Sequence, residues 1–537
     1  MKNFSTFPDD TLIKEANLLL HQGEFEKSLN MLLPYKNYKL SQSIMTLIGI
    51  AYAGCNYPKE AAYHLCIAQQ LKDNPQRHIC SELEAYLGSY NLYSFIFRVF
   101  EKAFLHQPKN ELLHIAYADV LQHTKHPAKA ILYIKKCLEF SKNKDRLLNI
   151  LATIFFEAGK YSSAIKLYQE LEKRNENNIT VLANLSCYYN AINDTNQALM
   201  YSRKAIMLQP SWAALRVNYS ICLLKAECYH QGWIEHDWRL ATPNHSTLPK
   251  DKLIPTLTDT MDITGKRILL TQEEGLGDTL MYIRFVPELI RRGAIVELWI
   301  AETMKGLCER IKGKPKVKVG GEDPPPFDWH CPFISLPRAL SIDPNQEKFT
   351  SYLSADRKKV AYWKEILPQT KKFKVGLVWG GSPHPGDVNA MMTDNKRSIP
   401  LQKLIPLLRS VKNATFISLQ MGDHTDEIHD LPEDVSIFNP MTDVKDMDDT
   451  AGIIKNLDLV ISVDTSVIHL AGGLGAKAIL LDRYDNCWRW ISNKKYSPWY
   501  PKVRIVRQTH PRIWSDVVKE TTSLLQKMAN KHEECKS

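Results

Sequence analysis

An acid stands at residue 278 in the stretch "QEEGLGDTL" (272–280), behind two glycines and ahead of the amphipathic run "LMYIRFVPELI". The apolar "RILLT" comes just before it, so the pattern reads as strand, tight turn and helix. Gly275 and Gly277 free the backbone to turn and to approach a bound molecule. Asp278, at the mouth of that turn, has two readings. As a helix cap it contributes about 1 kcal/mol. As a general base that takes a hydroxyl proton it contributes about 10²–10⁴ in rate. The residue types alone leave both open.

Four other stretches carry side chains of the right kind for an anionic ligand. In "VDTSVIHLAGG", Asp464, Thr465 and Ser466 stand where a helix begins. Their oxygens can cap its free N–H groups, or those N–H groups can hold a phosphate. His469 follows in the same helix, where a packed role competes with a ligand-binding one. Gly380, Gly381 and Ser382 follow the apolar "KVGLVW", and Gln420 lies in "LQMGD" after the next apolar run. Lys396 and Arg397 end a long segment and can neutralise a diphosphate; a solvated cationic pair is the alternative. Neither a phosphate-binding P-loop nor the G-x-G-x-x-G dinucleotide signature is present, which counts against an NTPase or a dehydrogenase.

These stretches need a scaffold, and two patterns supply it. Short β-branched runs alternate with helical ones after residue 265. The first set is 267–271, 294–300, 317–319 and 331–335; the second is 374–379, 415–419, 435–438, 457–462, 477–481 and 503–506. Continuous apolar strands separated by helices predict parallel sheets covered on both faces, with ligands at the C-terminal strand ends. All the candidate residues fall in the loops after such runs.

The first half of the chain is periodic instead. Compact residues recur at Ser28, Ala61, Ala130, Ala164 and Ala198, with Phe95 filling the missing turn after an irregular segment from 76 to 92, in steps of 33 to 35 residues. Pro108 and Pro210 fall where second helices should end. A period near 34 in helical pairs is the tetratricopeptide signature, and about six such pairs stack into a solenoid with a concave groove. A groove for a peptide or protein is one use; a spacer or dimerisation arm, which leaves a homo-oligomer open, is the other.

The bulk properties narrow the class. At 44% hydrophobic and 24% charged residues the chain has the composition of a soluble globular protein. No apolar run reaches membrane-spanning length, and "MKNFSTFPDD" lacks an apolar signal core. Eleven cysteines without a C-x-x-C pair suit reduced thiols, so the expected location is the cytoplasm and no metal or other cofactor is expected. The net charge of +10 is too diffuse for a nucleic-acid partner.

Seven motifs in one order carry a family resemblance: "GKRILLTQEEGLGDTLMYIRFVPELIRRGA", "FDWHCPFISLPRAL", "VGLVWGG" with "RSIPL", "FISLQ", "DTAGIIKNLDLVISVDTSVIHLAGGLGAKAI", "WRWI" and "SPWYPKVRIVRQ". Together they resemble the bacterial tetratricopeptide-repeat glycosyltransferases related to the ADP-heptose heptosyltransferases, glycosyltransferase family nine. The segment "GWIEHDWR" resembles the usual connector between repeats and enzyme. The resemblance implies an α-helical repeat solenoid (1–225), a connector (226–265), and an α/β GT-B pair. That pair is an acceptor-side Rossmann-like domain (266–365) and a nucleotide-sugar domain (366–537) whose last helix crosses back to the first. It implies inverting, metal-independent transfer of a sugar from a nucleotide-diphosphate donor to a hydroxyl, with Asp278 as base and Gly275 and Gly277 on the acceptor side. Gly380, Gly381, Ser382, Lys396, Arg397, Gln420, Asp464, Thr465, Ser466 and His469 are expected on the donor side. The acceptor is expected on a protein recruited by the repeats. The alternatives are an envelope saccharide as acceptor, or a scaffold whose transferase half has decayed. Where the family often has Gln, this chain has Glu274 and Met281; Ser466 and Val467 replace its usual small residues; and "PGDVNAMMTD" lengthens the segment before Arg397.

Overall fold

A computed structural model describes residues 10–35, 42–55, 57, 60, 61, 63, 64, 68, 97, 100, 104, 105, 108–124, 126–242, 248–321, 323–382 and 388–534. Phe95 and the segment 76–92 lie outside the described residues. The chain divides into two compact units, residues 1–176 with 384–392, and residues 177–383 with 393–537.

The first unit is helical. Its described helices include Glu111–His123 paired with Pro127–Phe140, and Lys144–Glu157 paired with Tyr161–Arg174. The residues that set the period are where close packing needs them: Ser28, Ala61, Ala130, Ala164 and Ala198 all have no exposed surface. First helices of successive pairs start on an asparagine whose side chain accepts from the N–H three residues on: Asn110 from Leu113, Asn143 from Arg146 and Asn178 from Val181, at 3.2, 3.3 and 3.2 Å. These caps repeat with the same period as the alanines and were an unused signal in the sequence.

The second unit opens with two more pairs, Ile179–Ala191 with Thr195–Leu208, and Ala213–Lys225 with Tyr229–His236. The period therefore continues past residue 225. Gly232 stands 34 residues after Ala198 and takes its place. A Cβ there would lie 2.7 Å from a Leu224 methyl, so only glycine lets these two helices close. The front of the "GWIEHDWR" motif is thus the second helix of the last pair.

Among the described residues nine strands follow. We number them β1 (Arg267–Thr271), β2 (Ile295–Ile300), β3 (Lys316–Val319), β4 (Trp329–Pro332), β5 (Phe373–Val378), β6 (Ala414–Ser418), β7 (Leu459–Val463), β8 (Ala478–Asp482) and β9 (Val503–Arg507). They form two sheets, β3-β2-β1-β4 and β6-β5-β7-β8-β9, in which every ladder is parallel. The run 435–438 is not a strand of its own. It touches β6 through a single bridge, Ile417 to Phe438, because only Ser418 and Phe416 exchange backbone bonds with Phe438. Residues 333–335 form a short 3₁₀ turn rather than extending β4.

Two helices differ from the expected layout. The final helix, Ser515–Glu534, does not cross back to the first sheet. Its buried stripe, Val517, Thr521, Leu525 and Ala529, recurs every four residues, and its apolar members share a core cluster with Phe373 and Phe416 of the second sheet and with Leu404 and Leu408 of the helical segment before β6. Helix Arg357–Ile366 is one of the elements that join the two halves. There Trp363 donates to Asp449 Oδ1 at 3.1 Å, and Lys359 pairs with Asp446 and Asp449 at 2.6 and 3.0 Å. Among the described residues no helix is long and apolar enough to cross a membrane.

Candidate active site

The turn after β1 builds the first wall of the site. Helix Leu276–Tyr282 starts directly after Gly275, which caps it with backbone alone. Asp278 therefore lies inside the first turn and is not the cap, which removes the capping role its type had left open. Its carboxylate is paired with the guanidinium of Arg489. Glu274, next to the glycines, adopts φ 47°, a left-handed conformation that costs a non-glycine residue about 1–2 kcal/mol. It is open to solvent yet ringed by protein; desolvation and then the Asp278 charge raise its carboxyl above the ordinary range.

The connector clamps this turn. Arg239, 2% exposed, grips both oxygens of Glu273, donates to Ser335 Oγ at 2.9 Å, and meets Asp237 Oδ1 at 3.0 Å. Asp237 in turn accepts from Ser335 at 2.6 Å and pairs with Arg338. Burial opposes the Arg239 charge, but Glu273 and Asp237 outweigh it and drive its pKa upward. Trp233, also in the connector, is fully buried against Trp488, with ring centroids 5.3 Å apart.

The second wall is the start of helix Ser466–Gly473 after β7. Thr465 is its cap residue, but its hydroxyl pairs with Ser462 at 3.2 Å and no side chain caps the helix. Gly277 brings the walls together: a Cβ there would lie 3.0 Å from the His469 ring and 3.5 Å from Ser466 Cα. Asp278 thus sits one residue from the backbone that touches this helix start. His469 is a packed residue. It shares a 2.9 Å bond with Tyr500 and stacks near Trp490, and burial pushes its pKa down to about 4, so it is neutral at physiological pH. Asp464 lies 3.9 Å from its Nε2.

The remaining donor-side candidates gather at the C-terminal edge of the second sheet. Arg397 Nη1 donates to the Asp464 carbonyl at 3.1 Å and its Nε to Asp394 at 3.2 Å, so it adjoins the Thr465 turn. Arg397 ends a helix, Val388–Arg397, where the sequence had suggested only a long loop; residues 383–387 of that segment lie outside the described residues. Gly380 and Gly381 are buried and their open faces are filled by this chain. A Cβ would collide with His424 at 2.2 Å or with Arg397 and Asp394 at 2.3 Å. Gln420, 1% exposed, accepts from the Trp379 and Gly380 N–H groups at 3.0 and 2.9 Å and donates to the Gly380 and Met421 carbonyls. It ties the ends of β5 and β6 together. Lys396 is buried 3.9 Å from Asp485, and Ser382 is exposed. The aromatics of "WRW" and "SPWYP" are core: Trp488, Trp490, Trp499 and Tyr500 are all buried. Arg284 lies over the rings of Tyr352 and Tyr500 at 4.5 and 4.7 Å.

Sequence reasoning missed Arg489, Arg239, Lys225 and Asp482. Asp482 ends β8 buried. One oxygen accepts from Arg507 at 2.7 Å, and burial raises its carboxyl to about 6. Its position after a strand was a usable signal; the partners of the other three, far away in sequence, were not. Among the described residues no group of three or more His, Cys, Asp or Glu side chains is placed to hold a metal.

Comparison with known proteins gives the following likenesses. Protein FlbA of Caulobacter vibrioides is 25% identical over 448 residues, covering 77% of this chain and 72% of FlbA. A family 9 glycosyl transferase from Veillonella parvula is similar over 51% of this chain and 100% of its own, at 10% identity and TM-score 0.38. The E. coli ADP-heptose lipopolysaccharide heptosyltransferase II is similar over 50% and 99%, at 12% identity and TM-score 0.36. MamA is similar over 30% and 92%, at 15% identity and TM-score 0.25. No family model matches the chain.

Proposed function

We propose that this chain is a glycosyltransferase with a GT-B arrangement, the sheet β1–β4 serving the acceptor and the sheet β5–β9 the donor. The observation that supports it most is the meeting of Gly277 with Ser466 and His469. It sets a carboxylate, Asp278, beside a helix start that no side chain caps. A nucleoside diphosphate at that helix start gains from its free N–H groups and positive dipole end. Arg397, one hydrogen bond away at Asp464, adds charge. Asp278 takes the proton of the attacking hydroxyl, and the sugar is transferred with inversion and without a metal. The repeats recruit the acceptor, a protein, and a cytoplasmic setting supplies the nucleotide sugar.

The test is a screen of nucleotide-diphosphate sugars by thermal shift on the full-length protein, followed by donor hydrolysis with and without chelator. A donor at 100 times its dissociation constant adds about 2.7 kcal/mol of stability. Hydrolysis that survives chelation and falls about 10²-fold or more in Asp278→Asn supports the reading. A second reading, a scaffold without activity, is favoured by one observation: Asp278 is already paired with Arg489. Absence of any shift across the screen selects it.

A further inference from the structure

Arg489 lies in the 3₁₀ turn Trp488–Trp490, beyond β8 on the C-terminal edge of the second sheet. Its neighbour Trp490 stacks near His469 at 5.2 Å, and its own guanidinium reaches Asp278, whose neighbour Gly277 lies over Ser466. The guanidinium is therefore beside the helix start assigned above to the diphosphate.

Its bonding is incomplete. A guanidinium has five N–H donors. Nη2 meets Asp278, Nη1 meets only the Cys487 sulfur at 3.0 Å, a weak acceptor, and the buried Nε has no hydrogen-bond partner. One face lies over the Trp488 ring at 4.8 Å. Burial works against its charge; the Asp278 carboxylate outweighs that and holds it cationic. The backbone around it is pinned by Lys225 to the Asn486 carbonyl at 3.2 Å, Ser492 to Asn193 at 2.7 Å, and Lys494 to Glu227 at 3.0 Å.

The Arg489 guanidinium occupies Oδ1 of Asp278, and that oxygen is not open to a hydroxyl proton while the pair holds. We propose that Arg489 is shared between Asp278 and the donor's diphosphate, so that binding of a nucleoside diphosphate draws the guanidinium off Asp278 and releases the base. This rests on the transferase reading. In the transfer step the acceptor oxygen bonds to the anomeric carbon and its proton goes to Asp278. The bond from that carbon to the β-phosphate oxygen breaks, and its electron pair leaves with the nucleoside diphosphate, where Arg489 meets the new charge. Chemistry is thereby tied to a filled donor site.

The experiment is calorimetric titration of the full-length protein with UDP, GDP, ADP, CDP and dTDP, then of Asp278→Asn, Arg489→Gln, Arg489→Lys and the Asp278→Asn/Arg489→Gln double variant with whichever binds. Asp278→Asn removes the rival charge and is expected to tighten binding about tenfold, a gain that misfolding cannot produce. Arg489→Gln is expected to weaken it about tenfold or more, with Arg489→Lys between it and wild type. In the double variant the gain from Asp278→Asn should vanish. If the wild type binds a nucleoside diphosphate but Asp278→Asn leaves affinity unchanged, the sharing is wrong while the transferase reading stands. If no nucleoside diphosphate binds the wild type, the transferase reading itself falls, and this inference with it.

Discussion

Asn193 and Glu227 occupy equivalent turns of consecutive helix pairs, 34 residues apart, both at positive φ (65° and 60°), and both grip the segment that carries Arg489. Asn193 donates to the Tyr484 carbonyl and accepts from the Ser492 hydroxyl, and Glu227 pairs with Lys494. In the pairs Asp10–His21 with Phe25–Leu32 and Lys144–Glu157 with Tyr161–Arg174 the same turn position is glycine, Gly23 and Gly159. Glycine is the cheaper residue in this conformation, by about 1–2 kcal/mol. Where the helical pairs meet the strand-bearing half, side chains are kept despite that cost.

Glu227→Gly separates the two effects. The backbone gains about 1 kcal/mol. The lost ion pair is partly exposed and contributes about 0.2–1 kcal/mol. Stability by urea denaturation should therefore hold or rise slightly, while donor turnover falls because residues 484–494 lose an anchor. Unchanged turnover would show that the segment does not depend on this turn.

Lys225 anchors the same segment from inside. Burial lowers its pKa from the ordinary 10.5 to about 8, with the Asn190 and Asn486 carbonyls as its acceptors. The folded state thus disfavours the charged form. Between these two values the unfolded chain binds more protons, so this group's contribution to stability rises with pH. Wild type should gain stability relative to Lys225→Met when urea midpoints at pH 7.5 and pH 9.5 are compared. A pH-independent difference would mean the amine is not held as described.

Much of this layout was legible. The strands came from continuous apolar runs, and the solenoid from a compact residue recurring at a fixed step, because buried contact of helix pairs tolerates little else at Ala130, Ala164 and Ala198. The last pair escaped because Gly232 is a weaker helix former, and "GWIEHDWR" looks polar. Its charges are buried partners: Arg239 with Glu273, and Glu235 with Arg216 at 2.9 Å. The pairing of Asp278 with Arg489 joins residues 211 positions apart, and no local pattern encodes it. Gly380 and Gly381 looked like room for a ligand; His424, Arg397 and Asp394 fill that room, which spacing cannot reveal.

The Arg239 clamp makes a strong prediction about stability. Replacing it with Met leaves Glu273 and Asp237, at 11% and 15% side-chain exposure, without their shared cation. Breaking one partner of a buried pair costs about 3–5 kcal/mol. Arg239→Met should lower stability by about that amount in chemical denaturation. A loss under about 1 kcal/mol would place the clamp among ordinary surface pairs.

His469 should show no titration in function. With its pKa pushed to about 4, it is neutral across the physiological range, and His469→Gln should leave the shape of the pH–rate profile between pH 5 and 8 unchanged. Stability behaves differently. Because the folded state disfavours the charged ring, wild type should lose stability through this group as pH falls from about 6.5 toward 4, and His469→Gln should not. A new inflection near neutral pH in the wild-type rate that disappears in His469→Gln would assign the ring a catalytic proton instead.

The role of the repeats is tested by where the chain is cut. A chain starting at Asn177 keeps Asn193, Lys225 and Glu227, and with them the described anchors of residues 484–494. A chain starting at Tyr229 keeps Trp233 and Arg239 but loses all three. If the proximal repeats recruit a polypeptide acceptor, tethering raises its local concentration to the millimolar range for a short linker, roughly, without touching the chemistry at Asp278. The Asn177 chain should then bind nucleoside diphosphate and hydrolyse donor like the full protein, yet transfer poorly to the natural acceptor. The Tyr229 chain should lose donor binding as well, because Arg489 is no longer positioned. Circular dichroism must first show that each chain is folded, since a cut solenoid exposes an apolar end. Equal transfer by the Asn177 chain and the full protein would exclude recruitment by the removed repeats, and intact donor binding in the Tyr229 chain would exclude the anchoring role of the last two pairs.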